Sequence, residues 1–123
     1  MSQWWSKLLK SFDYAGQGIG RGFKDRNMKI HGLAAVVVVV VGIMSKLTTV
    51  EWAIILGLIA AVIAAELFNT SIEELANVVK NNNNLDYGET KTTRDLAAGA
   101  VLVVAAMSMV VGGIIFGSHW WPN

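Results

Sequence analysis

Apolar positions fall into four stretches with different periods. From Trp4 to Phe23, the residues Trp4, Trp5, Leu8, Leu9, Phe12, Ile19 and Phe23 recur at helical spacings, with Lys7, Lys10, Arg21 and Lys24 between them. This pattern predicts an amphipathic surface helix over about 3–27, tryptophans at headgroup depth and lysines facing water and phosphate; an ordinary helix packed on a soluble core is the alternative. Gly16, Gly18, Gly20 and Gly22 weaken that helix and predict either a kink or a close backbone approach. Next, an unbroken run Val36–Val41 sits inside Ile30–Leu47. Such a run suits a buried strand in water, but its apolar continuation to Met44 favours a first membrane span over 30–47. Ser45–Glu51 reads as a polar turn, and Trp52 as an interfacial anchor for the return.

The second span, 52–72, keeps helical spacing through Glu73–Val79 and so continues beyond a bilayer, ending near Asn81–Asn84. That asparagine run, with Asp86, Gly88 and Thr90, predicts a loop over about 80–94. Leu96–Phe116 is the third span; Ala97, Ala98, Gly99 and Ala100, then Gly112 and Gly113, favour close helix contact. His119, Trp120, Trp121 and Pro122 finish at an interface. The fold class is therefore an all-α membrane protein with one N-terminal surface helix and three transmembrane helices.

Composition supports this reading. With 54% hydrophobic and 15% charged residues in 123, the chain is a single membrane domain, 1–123, too apolar for an ordinary soluble one. The absence of cysteine excludes disulfides, thiolate nucleophiles and cysteine zinc sites. No short apolar core with a small-residue cleavage site follows the first basic residues, so no cleavable signal peptide is expected. Lys7, Lys10, Arg21, Lys24, Arg26 and Lys29 precede the first span, Lys80, Lys91 and Arg94 lie between the second and third, and Lys46 stands alone in the first turn. The positive-inside rule then puts the N-terminus and the asparagine loop in the cytoplasm and the C-terminus outside.

The chemistry gathers on that cytoplasmic side. Glu66 follows an apolar run from Trp52 to Ala65, and an acidic residue within a span costs roughly 2.5–3.5 kcal/mol at the helix centre, which makes function the default hypothesis. On a helix, Glu66, Asn69, Glu73 and Asn77 share one stripe. Glu66 and Glu73 are then about 10 Å apart along the axis. That is too far to share a proton, but it suits one carboxylate accepting a proton from a lipid alcohol at the membrane boundary while the other binds a hard cation in water. The competing reading is a carboxylate paired for helix packing. Arg94 and Asp95 can grip phosphate and accept from ribose or base, but from the residues alone a topological arginine and a helix cap are the favoured reading. Asp25 and Lys29 can supply a ligand and a phosphate contact, or be a solvated charge run. His31 has no second histidine nearby and fits a local hydrogen bond better than a metal.

Glu66-Leu67-Phe68-Asn69-Thr70-Ser71-Ile72-Glu73, Arg94-Asp95-Leu96-Ala97-Ala98-Gly99-Ala100-Val101 and Arg26-Asn27-Met28-Lys29-Ile30-His31, on three spans after an amphipathic helix, resemble the small bacterial diacylglycerol kinase/undecaprenol kinase family over nearly the whole chain. The third motif and Glu51-Trp52 resemble the undecaprenol kinases more. The resemblance implies a homotrimer in the bacterial inner membrane that uses Mg²⁺ and ATP to phosphorylate a lipid alcohol, most simply undecaprenol, with diacylglycerol as the alternative. Active sites would be shared between subunits on the cytoplasmic side. It implies Glu66 as general base and Asn69 as a positioning group. Glu73 and Asp25 would be metal ligands at the nucleotide, with Arg94, Asp95, Lys7 and Tyr14 as nucleotide contacts. No nucleic-acid partner is expected. Asp25 stands where the family has glutamate, Arg94 where it has lysine, Lys7 where it has arginine; the stretch from Tyr14 to Asp25 is about one residue shorter, and Asn81–Thr93 lacks the family's more regular sequence. Two rivals from other classes are an ion-handling bundle carrying its ion on Glu66, and a non-catalytic adaptor assembled through Gly99 and Gly112.

Overall fold

The computed structural model describes residues 2–121, so Pro122 of the expected interfacial terminus lies outside the described residues. Four helices follow one another: α1 Ser2–Gly22, α2 Arg26–Ser45, α3 Thr49–Asn82 and α4 Tyr87–Trp120. α2, α3 and α4 are each long and apolar enough to cross a membrane. They alternate in direction, α3 packing most extensively on α4, with α2 against both. The valine run is helical inside α2, since in a hydrocarbon medium a lone strand would leave its backbone groups unpaired.

α1 is an uninterrupted helix, so its glycines make no kink. Gly16, Gly18 and Gly20 face open space, and only Gly22 serves a close approach: a Cβ there would come within 2.3 Å of Leu67 Cδ2 on α3. Met28, fully buried, closes this corner from α2. The rest of α1 is almost wholly exposed, Trp4 and Trp5 included.

At the other end of the bundle, Lys46 turns the chain in the left-handed conformation (φ 56°). Thr48 then caps α3 in a reciprocal box: Glu51 N–H donates to Thr48 Oγ1, and Thr48 N–H donates to Glu51 Oε2. Leu47, Ile55 and Ile115 form the small core there, with Trp52 and Phe116 packed on it. Trp52 lies over Gly42, where a Cβ would meet its ring at 2.7 Å, so it is a packing residue as well as an interfacial one. Two bonds tie the C-terminus to this end: Trp120 Nε1–H donates to Ser45 Oγ, and His119 Nε2 donates to Glu51 Oε2, both at 2.8 Å.

The turn between α3 and α4 is much shorter than the predicted loop over 80–94. α3 runs to Asn82 and α4 begins at Tyr87. Asn84 takes the left-handed position (φ 51°) and Leu85 N–H donates to Lys80 O, the bond of a Schellman stop, for which asparagine is a natural residue. α3 and α4, at 34 residues each, are about 51 Å long, some 20 Å more than a hydrocarbon core. Both therefore project beyond it as a paired hairpin.

Candidate functional site

The predicted stripe on α3 is present. Glu66 and Asn69 are buried, 1% and 5% exposed, with Glu73 half-buried beyond them. Asn69 Nδ2–H reaches Glu73 Oε1 at 3.5 Å, so the amide is tied to the outer carboxylate of the stripe. Asp25, at the N-cap position of α2, and Glu73 both act electrostatically on Glu66. Three buried side-chain atoms here have no hydrogen-bond partner: Glu66 Oε1, Asn69 Oδ1 and Thr70 Oγ1. An unpaired buried polar atom costs about 1–3 kcal/mol, and these three fall within five residues.

His31 on α2, read from sequence as a local hydrogen-bonder, reaches across instead: its Nε2 lies 3.6 Å from Glu66 Oε2. It also lines an apolar groove of about 430 Å³ between α2, α3 and α4, with Val38, Ile59, Ile63, Ser108 and Phe116 among its walls. One wall residue therefore touches the buried carboxylate. The sequence offered a signal for this in Arg26–His31, which puts a titratable ring on the first turns of a span.

Arg94 is buried, 7% exposed, and already engaged. Its Nε–H donates to Thr90 Oγ1 at 2.9 Å, Nη2–H donates to Asn77 Oδ1 at 2.8 Å, and the guanidinium lies 4.7 Å above the Tyr87 ring. Thus Asn77, the last member of the stripe, meets α4. Asp95 points outward, paired with Lys91 one turn before it. It is not a helix cap; Asp86 occupies that position, six residues past the start of what was predicted to be loop. Lys7 and Tyr14 are exposed on α1, and no hydrogen bond joins either side chain to the α3 stripe among the described residues.

Among the described residues no group of three or more His, Asp or Glu side chains stands close enough to enclose a metal. The donor set fits a cation of another kind: Mg²⁺ is usually held by one or two carboxylates plus substrate phosphates rather than by an all-protein cage. Glu73 on the α3 stripe and Asp25 at the N-cap position of α2 are carboxylates of that kind.

The prokaryotic diacylglycerol kinase family model matches residues 13–116, taking in the stripe, the α2 motif and the head of α4. The chain belongs to the prokaryotic diacylglycerol kinase family. It is a membrane lipid kinase, a phosphotransferase with an alcohol as acceptor. The undecaprenol kinase of Bacillus subtilis (strain 168) is 36% identical over 112 residues, covering 90% of this chain and 89% of the relative. The diacylglycerol kinase of Synechocystis sp. (strain ATCC 27184 / PCC 6803 / Kazusa) is 33% identical over 110 residues, covering 88% of this chain but 61% of its own length. No solved structure matches the chain.

Proposed function

We propose that this kinase phosphorylates undecaprenol, transferring the γ-phosphoryl group of ATP to the terminal hydroxyl of a long isoprenoid alcohol held in the bilayer. The observation that carries the reading is Glu66: a carboxylate 1% exposed, one oxygen unpartnered, 3.6 Å from His31 on the wall of an apolar groove. A single chain lying in that groove would bring its hydroxyl to the carboxylate. Near end-to-end similarity to an undecaprenol kinase supports this lipid; diacylglycerol is the second reading, supported by the Synechocystis relative.

In this mechanism Glu66 Oε1 takes the hydroxyl proton as the alcohol oxygen attacks the γ-phosphorus, and the β–γ bond breaks to release ADP. Asn69 holds Glu73 in place relative to Glu66 and offers its free Oδ1 to the nucleotide side. Glu73 and Asp25 would hold Mg²⁺, which when bound neutralises the phosphates. Arg94 directs its remaining N–H donors at phosphate, Asp95 accepts from the ribose or base after parting from Lys91, and Lys7 and Tyr14 on α1 close over the nucleotide. Phosphoryl transfer needs little covalent help, so positioning and charge neutralisation supply most of the rate. A homotrimer with its active sites on the cytoplasmic side and the C-termini outside completes the proposal. The many apolar side chains exposed on α2 and α4, Leu33 and Leu102 among them, supply faces for lipid or for neighbouring copies.

Purified protein in vesicles, given labelled ATP with either undecaprenol or diacylglycerol, tests the reading. Phosphorylation of undecaprenol at higher kcat/KM is the expected result. A preference for diacylglycerol overturns the substrate assignment, and inactivity on both overturns the mechanism built on Glu66.

A further inference from the structure

We infer that His31 is a positioning residue for the transfer step, turning the Glu66 carboxylate so that one oxygen is anchored and the other is free for the alcohol. The inference rests on the lipid-kinase mechanism above and assigns a role to a side chain which that mechanism does not use.

The two oxygens of Glu66 are not equivalent. Oε2 faces His31 Nε2 at 3.6 Å, whereas Oε1 is buried with no partner. A carboxylate at the end of three rotatable bonds has no fixed direction of its own, and a general base must stand within hydrogen-bond reach of the proton it takes. The carboxylate is almost sealed from water, so solvent cannot orient it. Within its own helix, Asn69 Nδ2 is directed to Glu73. Among the described residues the ion-pair contact that reaches Glu66 from another helix is that of His31, and it falls on Oε2. At 3.6 Å the pair is within ion-pair reach and a small side-chain rotation short of a hydrogen bond, as catalytic contacts often are before substrate closes them.

The placement of the imidazole supports the same role. His31 is half-buried, on the first turns of α2, and forms part of the groove wall. A hydroxyl arriving along the groove meets the imidazole, whose Nε2 lies 3.6 Å from Glu66 Oε2. Anchoring Oε2 leaves Oε1 as the proton acceptor. Histidine suits the position because Nε2–H can donate to the carboxylate while the ring carbons remain against apolar groove walls.

The test is steady-state kinetics of purified His31→Ala, His31→Gln and wild type in vesicles, varying undecaprenol and Mg-ATP separately. Glutamine carries an N–H donor close to where Nε2 sits; alanine carries none. The expected result is a fall in kcat of about tenfold to a hundredfold for His31→Ala, the range produced by misplacing a reacting group by about 1 Å, with KM for Mg-ATP within twofold of wild type. His31→Gln should recover most of that loss. Loss of Mg-ATP affinity together with kcat, or equal losses in the two variants, would mean that His31 only supports the fold, and overturns the inference. Wild-type kcat in His31→Ala overturns it too. Failure of the kinase reading itself is distinct, because the wild-type protein would then phosphorylate neither lipid.

Discussion

Arg94 Nη2–H donates to Asn77 Oδ1 at 2.8 Å, joining α4 to α3 at residues 17 apart in the chain. The contact closes the helical hairpin at the turn end, and it spatially connects the last residue of the glutamate stripe to the arginine proposed to contact nucleotide. Arg94 uses two edges of its fork at once, on Thr90 and Asn77, while its face stacks on Tyr87.

Arg94→Lys therefore removes more than geometry at the nucleotide, because an ammonium on a flexible stem cannot reproduce the planar fork and its stacking. Asn77→Ala removes one partner of the buried Arg94, and because Asn77 is itself exposed and water can replace part of the bond, it should cost about 1 kcal/mol. Thermal unfolding in detergent is expected to show a lowered midpoint for both variants, with KM for Mg-ATP raised further in Arg94→Lys. Unchanged midpoints would mean that the hairpin does not depend on this bond.

Glu66→Gln preserves size and helix propensity but cannot take the alcohol proton. Loss of lipid phosphorylation by about 10²–10⁴-fold is expected, the range for a positioned general base, with the unfolding midpoint at or above that of wild type. Glu73→Gln should instead raise the Mg²⁺ and ATP concentrations needed for half-maximal rate. Labelled-ATP assays across Mg²⁺ concentrations separate the two.

Gly112 lines the groove and has open space where a Cβ would stand. Gly112→Leu should fold and fill part of the groove, raising KM for undecaprenol severalfold while leaving KM for Mg-ATP unchanged. Equal lipid KM values in the variant and wild type would show that the alcohol approaches by another route.

Lys46 holds a left-handed backbone, which costs an L-residue roughly 1–2 kcal/mol. Lys46→Gly relieves that strain and loses some through the larger freedom of glycine when unfolded, for a net stabilisation of about 0.5–1 kcal/mol. A small rise in the detergent unfolding midpoint, with activity unchanged, is the expected outcome.

Part of this architecture was legible before any coordinates. Glu66, Asn69 and Glu73 share a face because helical period alone decides it, and the apolar runs are long enough that only helices can satisfy their backbone in lipid. The asparagine run was legible as a stop for α3, and Asn84 is the residue that makes it. The start of α4 was not legible. Gly88 and Thr90 look like loop when read locally, yet Thr90, Lys91, Arg94 and Asp95 pair at helical spacing, and the extension of α3 offers Asn77 to hold them.

The sequence by itself determined four helices, three spans, the common stripe and the family, since these follow from period, length and motif within single segments. Only the tertiary structure decided which oxygen of Glu66 has a neighbour, that His31 is that neighbour, and that Arg94 leans on α3. Each of those contacts joins residues on different helices. Their distance depends on how helices cross and rotate against one another, and no local propensity encodes that.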